Sequence, residues 1–317
     1  LARLSRKPRT LISAACALAI VGSGAVTASA AVRPDIALAW TSQQAIGGSG
    51  TTGNPALAVF NGELYGVWKG VNGDDNLYWA TSNGSTWSAV QEIGGASSAT
   101  GANLAVFNGR LYATWQASND DIYWASTTGS AWSDVQLIPN RGSSAAPALA
   151  VLNGRLFALW KGTGNDQGLY WSSSDGTSWT TQEEISHSGS SNGPAMTVFN
   201  GRLYAVWKGS GSDSELYYSS SDGYSWGSQA EIYNVGTSAN PAVAVFNGQV
   251  YAMWKGGGSD QGVYYSSSTD GATWAAQTKA SNESTNEGPA LAAFNGQLYN
   301  LLKGSGSSTA VYWASGS

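Results

Sequence analysis

The sequence predicts an all-β protein: a six-bladed β-propeller with four antiparallel strands per blade, whose N-terminal strand closes the last blade. Three observations lead there. The dipeptide Asn-Gly recurs at Asn61, Asn108, Asn153, Asn200, Asn247 and Asn295, at intervals of 45 to 48 residues. Each copy around it divides into four short apolar and aromatic runs, none long or periodic enough for a helix. The sixth copy stops after its third run, while a segment resembling a fourth run precedes the first copy.

The elements follow one another most plainly over residues 193–226. The first strand reads Pro-Ala-x-x-Val-Phe, as at 241–246. Proline is tolerated at its head because no ladder donor is needed there. Asn-Gly follows, a pair that favours a two-residue type I′ hairpin because both central residues of that turn need positive φ. The second strand is Leu-Tyr-x-x-Trp, as at 203–207. A Gly/Ser/Asp loop leads to a third strand such as 216–219, and an Asp-Gly-type turn leads to a fourth such as 225–232.

The ends are expected to meet. Residues 311–314 form the last third strand, and residues 38–46 (Leu-Ala-Trp-Thr-Ser-Gln-Gln-Ala-Ile) match the fourth strand of the first copy, residues 86–93. Pairing the two closes the ring and removes sheet edges. The propeller so defined covers 37–317, preceded by a short segment over 31–36.

Residues 1–30 read as a secretory signal peptide. Arg3, Arg6, Lys7 and Arg9 precede an apolar stretch over 11–21, and Ala28-Ser29-Ala30 offers the small residues for cleavage near Ala30. The expected localisation is therefore secreted. Cys16 is the only cysteine and leaves with the signal, so the mature chain has no disulfide or thiolate metal site. Removing four of the 15 basic residues leaves 11 against 20 acidic ones, a net charge of −9 that argues against a nucleic-acid partner. No later segment is apolar enough to span a membrane.

In a propeller every sheet is packed on both faces by its neighbours. Trp87, Trp132, Trp179, Trp226 and Trp274, with Trp40 in the equivalent place, are therefore expected to pack between blades. The same holds for Tyr65, Tyr112, Tyr204, Tyr251 and Tyr299, with Phe157 in their place in the third copy. The loop between second and third strands is the candidate carbohydrate-binding site. It repeats Trp68, Lys69 and Asp74; Trp160, Lys161 and Asp166; Trp207, Lys208 and Asp213; and Trp254, Lys255 and Asp260. A cation donor, a carboxylate acceptor and an aromatic neighbour suit a sugar, which presents hydroxyls and an apolar face. The alternative is a local salt bridge, worth under about 1 kcal/mol when exposed. The second copy departs with Gln116, Asp120 and Asp121, and the sixth with Leu302 and Ser308 around Lys303. Counting strand reversals puts these loops on one face with the blade-to-blade linkers. The Asn-Gly and Asp-Gly turns then lie on the other.

The segment Ser172-Ser-Ser-Asp-Gly-Thr-Ser-Trp179 resembles the sialidase Asp-box, with Ser174 at the Asp position and Asp175 one later. Taken over 37–317, the chain resembles the tandem-repeat propeller lectins, including six-bladed fucose-binding ones. A weaker resemblance is to the propeller lectin components of secreted bacterial toxin (umbrella) particles. The Arg/Glu/Trp pocket of the fucose-binding family is not expected here, because Arg110, Arg155 and Arg202 follow the Asn-Gly turns, on the face opposite the Lys/Asp loops.

A hydrolase reading has little to stand on. Glycoside hydrolysis usually needs two carboxylates at fixed separation, a sialidase needs an arginine triad, and His187 is the only histidine. Features shared by four or more blades favour multivalent binding, in which weak sites on one rigid ring gain avidity. The expected function is a secreted multivalent lectin without catalysis, binding glycans or glycoconjugates and needing no cofactor, with Ca²⁺ left open. The alternatives are a propeller scaffold or partner in a secreted protein assembly, and a sialidase-like glycosidase or lyase.

Overall fold

Six four-stranded antiparallel sheets, one per sequence copy, form the six-bladed propeller. The computed structural model describes residues 37–317. The signal peptide expected over 1–30 and the segment 31–36 lie outside the described residues. Blade 4 illustrates the plan, with strands Ala195–Phe199, Arg202–Lys208, Glu215–Ser221 and Ala230–Gly236. In chain order the blades span 56–97, 102–142, 148–189, 195–236, 242–284 and 290–316. Each first strand packs beside the first strands of both neighbours, blade 6 against blade 1 included. Their small side chains (Ala, Val, Leu) line a central channel of about 420 Å³.

The turn chemistry is as the sequence requires. All six Asn-Gly pairs have positive φ at both residues, 46–51° at Asn and 70–78° at Gly. In the Asp-Gly turn of blade 4, Ser221 Oγ accepts from Gly223 N (3.0 Å), and Asp222 Oδ1 accepts from the amides of Tyr224 (2.9 Å) and Ser225 (3.1 Å). Those two amides also hold the Asp222 carboxyl below its usual range. The Asp-box-like serine and aspartate thus fold the turn.

Closure is completed by the N-terminal segment. Gln44–Ala45 is the outermost strand of blade 6, with Gln44 opposite Trp313 and Ala45 opposite Tyr312. Thr41 N donates to Ser315 O and Ile46 N to Val311 O, both at 2.9 Å, and the Ile46 side chain is buried. The core is a ring of inter-blade layers. Trp207, for example, packs on Leu159, Leu169 and Trp171 of blade 3, and Trp254 on Val206, Leu216 and Ile232 of blade 4. No helix of the described residues is long and apolar enough to cross a membrane.

Candidate functional site

On the loop-and-linker face, the structure brings the repeated Trp, Lys and Asp close in each blade, and each already has its work inside the fold. Trp68, Trp160, Trp207 and Trp254 are at most 2% exposed, so their rings offer no face to a ligand. The lysines are buried too, and burial lowers the pKa of Lys161, Lys208 and Lys255. Lys161 Nζ donates to Ser144 Oγ (2.7 Å) and to the carbonyls of Gly162 (3.3 Å), Gly164 (3.3 Å) and Asp166 (3.0 Å). Lys208 and Lys255 repeat this on Ser191 and Ser238. The ammonium therefore ties the loop to the linker of its own blade.

The aspartates are engaged locally as well. Asp166 Oδ1 accepts from Gly168 N (2.9 Å) and its Oδ2 from the Tyr170 hydroxyl (2.9 Å). Asp74, Asp213 and Asp260 do the same with Tyr78, Tyr217 and Tyr264. The bond from Tyr78 lowers the Asp74 pKa, and burial with the bond to Asp213 pushes Tyr217 up to about 12. Among the described residues only Lys69 forms an ion pair, and its partner is Asp75 rather than Asp74. At Lys161 and Lys208 the five-residue Lys/Asp spacing lets the lysine reach its aspartate's backbone carbonyl, not its carboxylate. The four tyrosines are the partners that sequence reasoning missed, although each stands visibly four residues after its aspartate.

The opposite face carries clefts between blades. The turn preceding each fourth strand leans over the second strand of the preceding blade. A Cβ on Gly223 of blade 4 would lie 3.2 Å from Phe157 Cζ of blade 3, and one on Gly271 would lie 3.1 Å from Tyr204 of blade 4. Between blades 4 and 5, Tyr204 and Tyr218 donate to the carbonyls of Gly271 (2.6 Å) and Ala272 (3.0 Å), fastening the turn down. Phe157 has no hydroxyl to do so. Between blades 3 and 4 a cleft of about 400 Å³ opens, lined by Arg155, Phe157, Trp171, Ser173, Glu183 and Tyr224 among others.

Strand geometry explains how these residues meet. Glu183 lies directly opposite Trp171 in the sheet of blade 3, and Trp171 stacks on Phe157 (6.1 Å between centroids, 25°). Arg155 Nε donates to Ser173 Oγ (3.1 Å), fixing the guanidinium, while its terminal nitrogens make no hydrogen bond among the described residues. Glu183 is exposed, and Tyr224 of blade 4 is 85% exposed at the lip. Arginine, glutamate and tryptophan thus share one cleft, on the face opposite the Lys/Asp loops. In the other blades Gln91, Gln136, Ala230, Thr278 and Gln44 hold the place of Glu183. Ser85, Ser130, Thr177 and Ala272 hold that of Tyr224. Phe157, Glu183 and Tyr224 are three departures from the repeat that converge on one cleft.

Chemically, the cleft offers a guanidinium donor, a carboxylate acceptor and aromatic walls, a set matched to vicinal hydroxyls on an apolar ring face. Of its two carboxylates, Asp222 gives Oδ1 to the amides of its turn, whereas Glu183 accepts no side-chain hydrogen bond among the described residues. Among the described residues no three His, Cys, Asp or Glu side chains converge as metal ligands.

No protein-family model matches the chain, and no curated protein matches it in sequence. Solved structures share its fold at low identity. A protein of unknown function from Dyadobacter fermentans superposes with a TM-score of 0.65 at 12% identity, covering 88% of this chain and 98% of its own. The fucose-specific lectin from Aleuria aurantia gives 0.60 at 13%, covering 82% and 90%. Trypanosoma rangeli sialidase gives 0.57 at 13%, covering 83% of this chain and 53% of its own. At these identities the likeness is one of fold.

Proposed function

We propose that this chain is an exported carbohydrate-binding protein that holds glycans in the inter-blade clefts of its Asn-Gly face and performs no catalysis on them. The observation that carries this reading is the blade 3/4 cleft. Arg155 and Glu183 supply a donor and an acceptor there, and the exposed ring of Tyr224 supplies the stacking wall, above a floor of largely buried Trp171 and Phe157. Such a site is suited to a sugar ring, which stacks one face on an aromatic while its hydroxyls bond at the edges. Sharing the propeller fold with a lectin named as fucose-specific supports saccharides as the ligand class. The Lys/Asp loops are assigned to scaffold duty because their polar groups are already partnered.

A glycan array probed with the mature protein tests the reading, with and without a chelator to decide Ca²⁺ dependence. Arg155→Ala should weaken retention at least about tenfold, since a hydrogen bond to a charged group contributes about 1.5–3 kcal/mol; Tyr224→Ala should weaken it too, through loss of the stacking wall. Retention should survive replacement of Asp74, Asp166, Asp213 and Asp260 together. Loss with the quadruple variant, while folded and with Arg155→Ala silent, would return recognition to the loop face.

A further inference from the structure

The cleft between blades 2 and 3 repeats the plan of its neighbour with the charge balance altered. It encloses about 520 Å³ and is lined by Tyr112, Trp124, Gln136, Leu137, Arg141 and Trp179 among others. Trp124 stacks on Tyr112 (5.3 Å, 28°) and is less buried than Trp171, its counterpart in blade 3. Leu137 is 46% exposed at the rim. An apolar platform is thus present. Gln136 occupies the position of Glu183, so the carboxylate of the 3/4 cleft is absent from this place.

A cation stands in the same cleft with no anion to meet it. Arg141 lies on the fourth strand of blade 2, where blades 1, 3 and 4 carry Ala96, Ser188 and Val235. Its guanidinium crosses to blade 3 and donates to Thr180 O (2.6 Å). Its other terminal nitrogen donates to Asn140 O (2.9 Å) and Pro139 O (3.4 Å) of its own strand. Three of its five N–H donors are thereby occupied by neutral carbonyls. Nε is buried with no hydrogen-bond partner, and among the described residues no carboxylate lies within salt-bridge distance of Arg141. Burial alone lowers the guanidinium pKa, with no opposing charge to raise it. A partly desolvated cation left with unused donors is unfavourable unless an anion completes it.

We propose that the blade 2/3 cleft binds an anionic saccharide, one bearing a carboxylate or sulfate, with Arg141 as the ion-pairing group and Trp124 as the stacking surface. This rests on the glycan-binding reading above and deepens it. The 3/4 cleft, with Arg155 and Glu183 together, suits neutral polyols, whereas the 2/3 cleft selects charge. Because the chain as a whole is acidic, the selectivity is local to Arg141 and decreases as salt rises.

Calorimetric titration with a short galacturonate oligomer and with its neutral methyl ester tests the charge alone, since the two share a backbone. A heparin-derived oligosaccharide and its desulfated form provide the sulfate arm. The wild-type protein should prefer at least one charged member over its neutral partner by on the order of tenfold or more, as charge-assisted bonds allow. Arg141→Gln should remove the preference. Gln136→Glu, which leaves every Arg141 contact in place and so does not depend on tolerance of Arg141 replacement, should remove it too. Equal affinity for charged and neutral partners in the wild type, or a preference that survives Gln136→Glu, overturns the proposal. Where the charge preference is absent but neutral glycans still bind and are lost with Arg155→Ala, this inference alone fails. If no saccharide binds at all, the glycan-binding reading fails with it.

Discussion

Replacing Glu283 by glutamine should make the protein more stable at alkaline pH and leave it nearly unchanged at pH 4–5. Glu283 lies on the fourth strand of blade 5 and is 3% exposed. One carboxyl oxygen accepts from Asn300 Nδ2 of blade 6, and the other is buried without a partner. Asn300 is itself fully buried, and its Oδ1 accepts from Ala314 N at 3.1 Å. Gly66, Ala113, Ala158, Ala205 and Ala252 stand in its place in the other blades, so the pair is peculiar to this interface. Burial pushes the carboxyl pKa from 4.5 up to about 8, and the bond from Asn300 opposes only part of that rise. The sign follows from linkage. Below the unfolded value both states hold the proton and nothing is lost. As pH rises toward the folded value, the unfolded chain releases its proton while the folded chain keeps it, so stability falls by about 1.4 kcal/mol per pH unit. The full loss approaches roughly 5 kcal/mol. Glutamine keeps an acceptor for Asn300 and carries no charge, so the variant lacks this slope. With an unfolding entropy of about 2.1 cal/mol/K per residue, the gap at pH 8.5 corresponds to roughly 8 °C in Tm. Melting curves of both proteins from pH 4.5 to 9 give the comparison. Parallel curves across that range would show that Glu283 does not titrate as a buried acid.

Three further outcomes follow from the same packing. Deleting residues 37–47 removes Gln44–Ala45 and exposes the edge of Val311–Gly316, so the shortened chain should aggregate or melt many degrees lower by light scattering and circular dichroism. Trp207→Ala should destabilise by about 3–5 kcal/mol in denaturant titration, because that ring is fully buried between blades 3 and 4. Phe157→Tyr supplies the hydroxyl that fastens the turn in the manner of Tyr204, so it should narrow the 3/4 cleft and weaken glycan retention on the array without lowering Tm.

The fold was legible because its determinants are local and repeated. A type I′ hairpin follows from Asn-Gly wherever it stands, and 38–46 declared itself a fourth strand by matching 86–93. The Lys/Asp loops were legible as a pattern and not as a role. Spacing shows that Lys161 and Asp166 recur together, but whether the ammonium meets the carboxylate or the carbonyl of Asp166 is decided by the path of the loop. The tyrosine at Asp+4 was the available sign that the carboxylate was already taken. The 3/4 cleft was harder still. Arg155, Trp171, Glu183 and Tyr224 are scattered over two copies and meet only through the register of blade 3 and the lean of the blade 4 turn. Arg155 directly follows the Asn153-Gly154 turn, a position that fixes its face but not its neighbours.

Repetition and departure carry different information in such a ring. A residue that packs one blade on the next serves every interface, so Trp68, Trp115, Trp160, Trp207 and Trp254 recur, with Leu302 in the sixth blade, and all are buried. A residue that only touches a ligand is under no such demand and can differ from blade to blade. Buried departures do occur, as Asn300 and Glu283 show, but they come as a pair hydrogen-bonded to each other across their own interface. Phe157, Glu183 and Tyr224 form no such pair. Phe157 omits a tether, Glu183 leaves a carboxylate at the surface, and Tyr224 exposes 85% of a large aromatic residue to water, none of which the fold requires. Their convergence on one opening is therefore better explained by what enters the cleft than by what holds the blades together. Under the proposed glycan-binding reading, two neighbouring clefts with different preferences on one rigid face predict that a glycan surface displaying both neutral and acidic sugars is held more tightly than one displaying either alone.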